Sequence, residues 1–88
     1  MGLVKLDEVE TNSQPIYELE QKVKVRKMIR NDGTFPGKEL GELLVKKGEE
    51  GYVVSIGTYL QAYYIYGVHF LEKNMIVGCR AKELESAE

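Results

Sequence analysis

Between Lys22 and Arg26 apolar and charged residues alternate, with Val23 and Val25 facing one way and three cations the other, the period-two pattern of a half-buried strand. The stretch Asn31-Asp32-Gly33-Thr34-Phe35-Pro36-Gly37 that follows holds two glycines, a proline and an Asn-Asp pair, and reads as a loop. Leu40, Leu43 and Leu44 then recur at spacings of three and four, which predicts one short helical turn within Lys38 to Lys47, ended by Gly48. Gly51 to Gly57, rich in β-branched residues and bounded by glycines, predicts a second strand. The strongest strand signal is Gln61 to Leu71, where Tyr64, Tyr66, Val68 and Phe70 share one face and Tyr63, Ile65 and His69 the other. Glu72-Lys73-Asn74 is a polar hairpin loop, Met75 to Cys79 the returning strand, and Arg80 to Leu84 one helical turn before a frayed end at 86–88.

Short strands, one long loop after the first and hairpins between the rest predict an all-β fold, a small SH3-like barrel over residues 21–85. An OB-like barrel is the competitor, but it asks for more residues and for a helix where this chain has three polar loop residues. Residues 1–20 lack a period and carry one lysine against five acids, so a flexible acidic arm is expected there. The remainder carries eleven basic against nine acidic side chains, so the formal net charge of −2 conceals a slightly basic body. Eighty-eight residues allow one domain. No segment reaches the roughly 18 apolar residues of a membrane helix, and no signal peptide is visible, so a cytoplasmic protein is expected.

Candidate chemistry is sparse. A single cysteine excludes an internal disulfide and a metal or iron–sulfur site built from the chain's own thiols. His69 and Cys79 are the only candidates for nucleophile, base or soft ligand, and their placement depends on hairpin register. With Leu71 opposite Met75 they share a face; with Phe70 opposite Met75, Val68, Val77 and Cys79 turn to the core and His69 outward. The second register buries the aromatic face and is preferred. Glu39 and Glu42 read as a solvated surface, and Gly33, Gly37 and Gly41 as loop glycines without a phosphate-loop fingerprint. Lys22, Lys24, Arg26, Lys27 and Arg30 form a basic run with no acid among them. It is a docking patch for an acidic protein, a nucleic-acid surface together with the tyrosines, or a strand's wet face.

One set of segments is more specific. Arg30-Asn31-Asp32-Gly33-Thr34-Phe35-Pro36-Gly37, Gly41-Glu42-Leu43-Leu44-Val45, Gly51-Tyr52-Val53, Gly57-Thr58-Tyr59-Leu60-Gln61, Ile65-Tyr66-Gly67-Val68-His69-Phe70 and Val77-Gly78-Cys79-Arg80, in this order, resemble the NifZ family of nitrogen-fixation proteins. The resemblance runs from about Gln21 to Glu85. It implies an accessory protein, not an enzyme, that assists maturation of the nitrogenase molybdenum–iron protein at the stage of its P-clusters. The expected partner is the immature molybdenum–iron protein, with other nitrogenase assembly factors, and neither nucleic acid nor membrane. No cofactor or metal site is expected, since one thiol cannot hold a cluster. Docking is assigned to Lys22, Lys24, Arg26, Arg30, Asn31, Asp32 and Phe35, with Tyr59, Tyr63 and Tyr64 as amphipathic contacts. The alternatives are an SH3-like nucleic-acid-binding module and an iron–sulfur transfer protein in which two copies of Cys79 and His69 supply a dimeric site.

Overall fold

The alternating segment forms strand β1 (Lys22–Val25), its two valines in the core and its two lysines half-buried. In the computed structural model, which describes residues 9–88, six strands follow: β2 (Ile29–Arg30), β3 (Leu43–Val45), β4 (Glu50–Tyr59), β5 (Tyr63–Phe70), β6 (Met75–Cys79) and β7 (Leu84–Ser86). All pairings are antiparallel, in a five-stranded sheet ordered β6-β5-β4-β1-β7 and a two-stranded ribbon of β2 and β3. Helical structure among the described residues is limited to two 3-10 turns, Glu10–Asn12 and Ala81–Glu83. The expectation of an antiparallel all-β fold holds.

Strand β4 links the two halves of the sheet. Its first residues pair with β1, Tyr52 opposite Lys22, while Tyr52 to Tyr59 run alongside β5. A register shift between Val53 and Ser55 leaves Val54 unpaired, and such a bulge bends a strand and increases its twist. In the β5/β6 hairpin Phe70 lies opposite Met75, Val68 opposite Val77 and Tyr66 opposite Cys79, the register that the aromatic face favours. Tyr66, Val68 and Phe70 thereby bury completely against Val23, Val25, Val53, Cys79 and Leu84. A one-residue slip would exchange this face for the one carrying Tyr63, Ile65 and His69, and that loss of burial holds the register.

Three expectations are corrected. The helical turn over Lys38 to Lys47 is instead strand β3. Leu44 and Val45 are buried, with Val45 opposite Ile29, whereas Leu40 is 77% exposed, so the helix-like spacing arose from one loop leucine placed ahead of a strand. Residues 86–88 are not frayed. After the 3-10 turn the chain enters β7, which covers the second edge of β1 with Leu84 opposite Val25, and Ala87 N donates to Lys22 O at 3.0 Å.

The third concerns the acidic arm. Its residues 1–8 lie outside the described residues. Residues 9–20 pack on the sheet. Tyr17 is buried, its ring edge-on to Tyr66 at 5.2 Å between centroids, and its hydroxyl donates to Leu84 O at 3.0 Å. Burial raises the Tyr17 phenol above its ordinary pKa. Glu20 N donates to Val53 O at 2.7 Å, and Tyr64 donates to Ser13 O through its hydroxyl and to Glu10 Oε1 through its backbone N–H. The β4–β5 turn explains one further contact. Leu60 and Gln61 both have positive φ, 53° and 54°, a conformation that costs residues with a Cβ and that hairpin turns normally give to Asn-Gly. Thr11 holds this turn, its hydroxyl donating to Gln61 O at 2.6 Å and its N–H to Ala62 O at 3.3 Å.

Candidate functional site

The loop from Arg30 to Gly41 is organised by one side chain. Asn31 is 3% exposed and uses its full hydrogen-bonding capacity: Nδ2 donates to Phe35 O and Lys38 O, and Oδ1 accepts from the N–H groups of Gly33 and Phe35. Its main chain bridges to the returning segment, Asn31 N donating to Glu42 O and Gly41 N to Asn31 O. Gly33, at φ 100°, provides the left-handed residue that lets the chain curl around the amide. Asp32 closes a second small turn by accepting from the Thr34 hydroxyl and N–H, bonds that lower its carboxyl below the usual range. Phe35 then packs against the core from the loop side.

This loop and β2 form one wall of a groove of about 1180 Å³. The opposite wall and floor come from β5 and β6, with Ile65, Met75, Ile76 and Gly78, and the far end from Tyr59, Tyr63 and Arg80. The rings of Tyr59 and Tyr63 lie 5.5 Å apart, and the Arg80 guanidinium stacks on Tyr63 with its central carbon 3.6 Å from the ring centroid. Met28, Tyr59 and Ile76 remain 52 to 56% exposed, a run of apolar surface beside a cation. Arg30, Arg80 and Lys82 stand around the groove with Asp32 and Glu83.

Of the residues assigned to docking, Arg30, Asp32, Phe35, Tyr59 and Tyr63 come together around this groove. Asn31 is not among the lining residues and serves as the organiser of the loop. Tyr64 sits elsewhere, bonded to Ser13 and 6.3 Å from the Tyr66 ring. The cations of β1 are on the far part of the sheet and largely matched by acids. Lys22 Nζ is 3.1 Å from Glu50, which raises its pKa, and Lys24 lies between Glu50 and Glu85 on the neighbouring strands. Sequence reasoning passed over Met28, Ile76 and Arg80. With Val77 and Cys79 assigned to the core, period two already turns Ile76, Gly78 and Arg80 outward together, which is the signal that finds them.

Cys79 is fully buried, and desolvation pushes its thiol up to about 12. His69 is on the opposite face of the hairpin, its Nε2 3.1 Å from Asn74 Oδ1. Two copies of this chain therefore cannot present both residues to one shared metal without unpacking the core. Cys79 should resist an aromatic disulfide reagent at pH 8 and react only once denaturant unfolds the chain; stoichiometric labelling of the native protein would contradict this placement. Because folding raises this pKa above the unfolded value near 9, the protonated thiol favours the folded state, and stability is expected to fall as pH rises from about 9 towards 12.

Among the described residues no helix is long and apolar enough to cross a membrane, and no group of three or more His, Cys, Asp or Glu residues could hold a metal ion. Fold and site together define a small antiparallel β protein with an aromatic and cationic surface groove.

The chain belongs to the NifZ family, whose domain matches residues 14–86, and NifZ proteins are nitrogen-fixation proteins. It is 43% identical to a NifZ protein of Sinorhizobium fredii over 98% of this chain and 80% of that relative. It is 46% identical to one of Rhodobacter capsulatus over 81% of this chain and 91% of the relative. The NifZ protein of Azotobacter vinelandii is 46% identical over 80% of this chain, which spans only 44% of that longer relative. No solved structure matches the chain.

Proposed function

We propose that this protein is a docking factor in nitrogen fixation that assists maturation of the nitrogenase molybdenum–iron protein, at the stage of its P-clusters, by binding an immature form rather than by catalysis or by carrying the metal. The observation that carries the reading is the groove. The segment Arg30 to Gly37, one of those that carry the family resemblance, folds around Asn31 into one of its walls, and exposed Met28, Tyr59 and Ile76 line it with stacked Tyr63 and Arg80. Rigid aromatic and arginine groups of this kind dominate the binding energy of protein interfaces. The strand order, with the β2–β3 ribbon inserted after β1 and a 3-10 turn ahead of β7, supports an SH3-like barrel as the architecture that presents it.

Immature molybdenum–iron protein should be captured by the tagged full chain. Replacing both Tyr59 and Arg80 by alanine should reduce capture more than about tenfold, since interface anchors each contribute roughly 2 kcal/mol or more. Lys24→Glu, on the charge-matched face of β1, should leave capture within about twofold, because exposed charge pairs contribute little. Undiminished capture by the double variant would refute the groove as the docking surface.

A further inference from the structure

Five consecutive residues, Asn74 to Gly78, line one side of the groove, and Met28, Ile29 and Arg30 line the other. Side chains alternate across a strand, so a strand face contributes only every second residue; an unbroken run means that the cavity borders the strand's edge. Both strands are edges. Among the described residues β6 pairs only with β5, and β2 only with β3. The groove thus lies between two sheets, beside a row of β6 backbone groups without a strand partner. Arg80 stands at the end of that row. Its Nε is buried without a hydrogen-bond partner among the described residues, and the ion pairs found among those residues are made by cations elsewhere, Lys22, Lys38 and Lys73. An unsatisfied buried donor is costly, and the half-buried Arg80 side chain, stacked on Tyr63, is a cation for which a carboxylate is the matching partner.

We infer that the groove takes one extended segment of a partner polypeptide, added as a strand to the free edge of β6, with apolar side chains on Met28 and Met75 and an Asp, Glu or terminal carboxylate on Arg80. From the docking reading this takes only that the groove receives a protein. A peptide is favoured over a nucleic acid because it brings the backbone donors and acceptors that a strand edge requires. Asp32 and Glu83 on the rim disfavour a chain of phosphates more than a segment that brings a single carboxylate.

The test begins with random octapeptides displayed on phage and panned on the immobilised full chain. Selected sequences should alternate apolar residues and carry Asp or Glu. A synthetic winner, followed by fluorescence anisotropy, should lose about tenfold or more in affinity on Arg80→Gln and on Met28→Glu, both substitutions of groove-lining positions. N-methylating one alternate set of its backbone amides should cost a similar factor, whereas methylating the other set should leave affinity within about twofold, because only one set faces the edge. Titration of the isotope-labelled protein should slow amide exchange in β6.

Failure to enrich any peptide, equal sensitivity to the two methylated sets, or displacement of the peptide by a ten-nucleotide oligothymidylate would overturn the inference. A concentration-dependent dimer abolished by Met28→Glu would overturn it in favour of a second copy as occupant. If peptides bind as described but capture of molybdenum–iron protein is indifferent to both groove variants, strand addition stands and the nitrogenase reading falls. If capture depends on both variants but methylation has no effect, the docking reading stands and strand addition falls.

Discussion

Replacing Asn31 by alanine should destabilise the protein by about 3 kcal/mol, because four loop groups lose their partner at once and unmet buried or half-buried polar groups cost roughly 1 kcal/mol or more each. For a domain of this size that is a fall in melting temperature of more than about 10 °C, readable by calorimetry or circular dichroism. Asn31→Asp separates the two halves of the role. It keeps both bonds accepted from Gly33 and Phe35 but turns a carboxylate oxygen towards Phe35 O and Lys38 O, which already present lone pairs. The aspartate variant should therefore be nearly as unstable at pH 7 and recover in part at acidic pH, where the carboxyl regains a donor. A melting temperature within about 2 °C of the parent for both variants would show that the loop is held by other contacts. The groove should follow the loop, since Phe35 and Asp32 are placed by the same bonds.

Tyr17→Ala is the second large effect. The ring is buried edge-on to Tyr66 and its hydroxyl bonds Leu84 O, so the loss should be about 3 to 4 kcal/mol, in the range for removing a large aromatic from a core. Tyr17→Phe keeps the ring and should cost only about 1 kcal/mol, the net contribution of a single hydrogen bond. Urea titration with the Ser13-to-Glu20 segment intact checks both. An alanine variant as stable as the parent would mean that residues 9–20 do not pack as described.

These two residues also mark where sequence reading stops. Asn31 was legible as part of a distinctive loop, and its type suits a turn, yet nothing local distinguishes an amide that contacts a partner from one that organises its own loop. Only the four bonds do so. Tyr17 lies among polar and acidic residues without a period, which resembles an unstructured arm, and its core position depends on meeting Tyr66 and Leu84, 49 and 67 residues away. The three leucines from Leu40 onward misled for a related reason. A helical spacing over five residues is too short to exclude a loop followed by a strand, and pairing with β2 chose the strand. The docking residues divide similarly. The loop with Arg30 and Tyr59 with Tyr63 converge, while Lys22 and Lys24 of the basic run meet Glu50 and Glu85 across the sheet, a matching that linear inspection cannot see.

The sequence by itself determined the faces of β1, β5 and β6, the hairpin register, the inward direction of Cys79 and the family, because period-two alternation and short motifs are local properties that burial then selects. Tertiary structure alone decided which segments complete the sheet and, among the described residues, which strand edges have no strand partner and where Arg80 Nε finds no acceptor. Those depend on backbone groups far apart in the chain choosing one another, and the energy that settles the choice is shared across the whole fold.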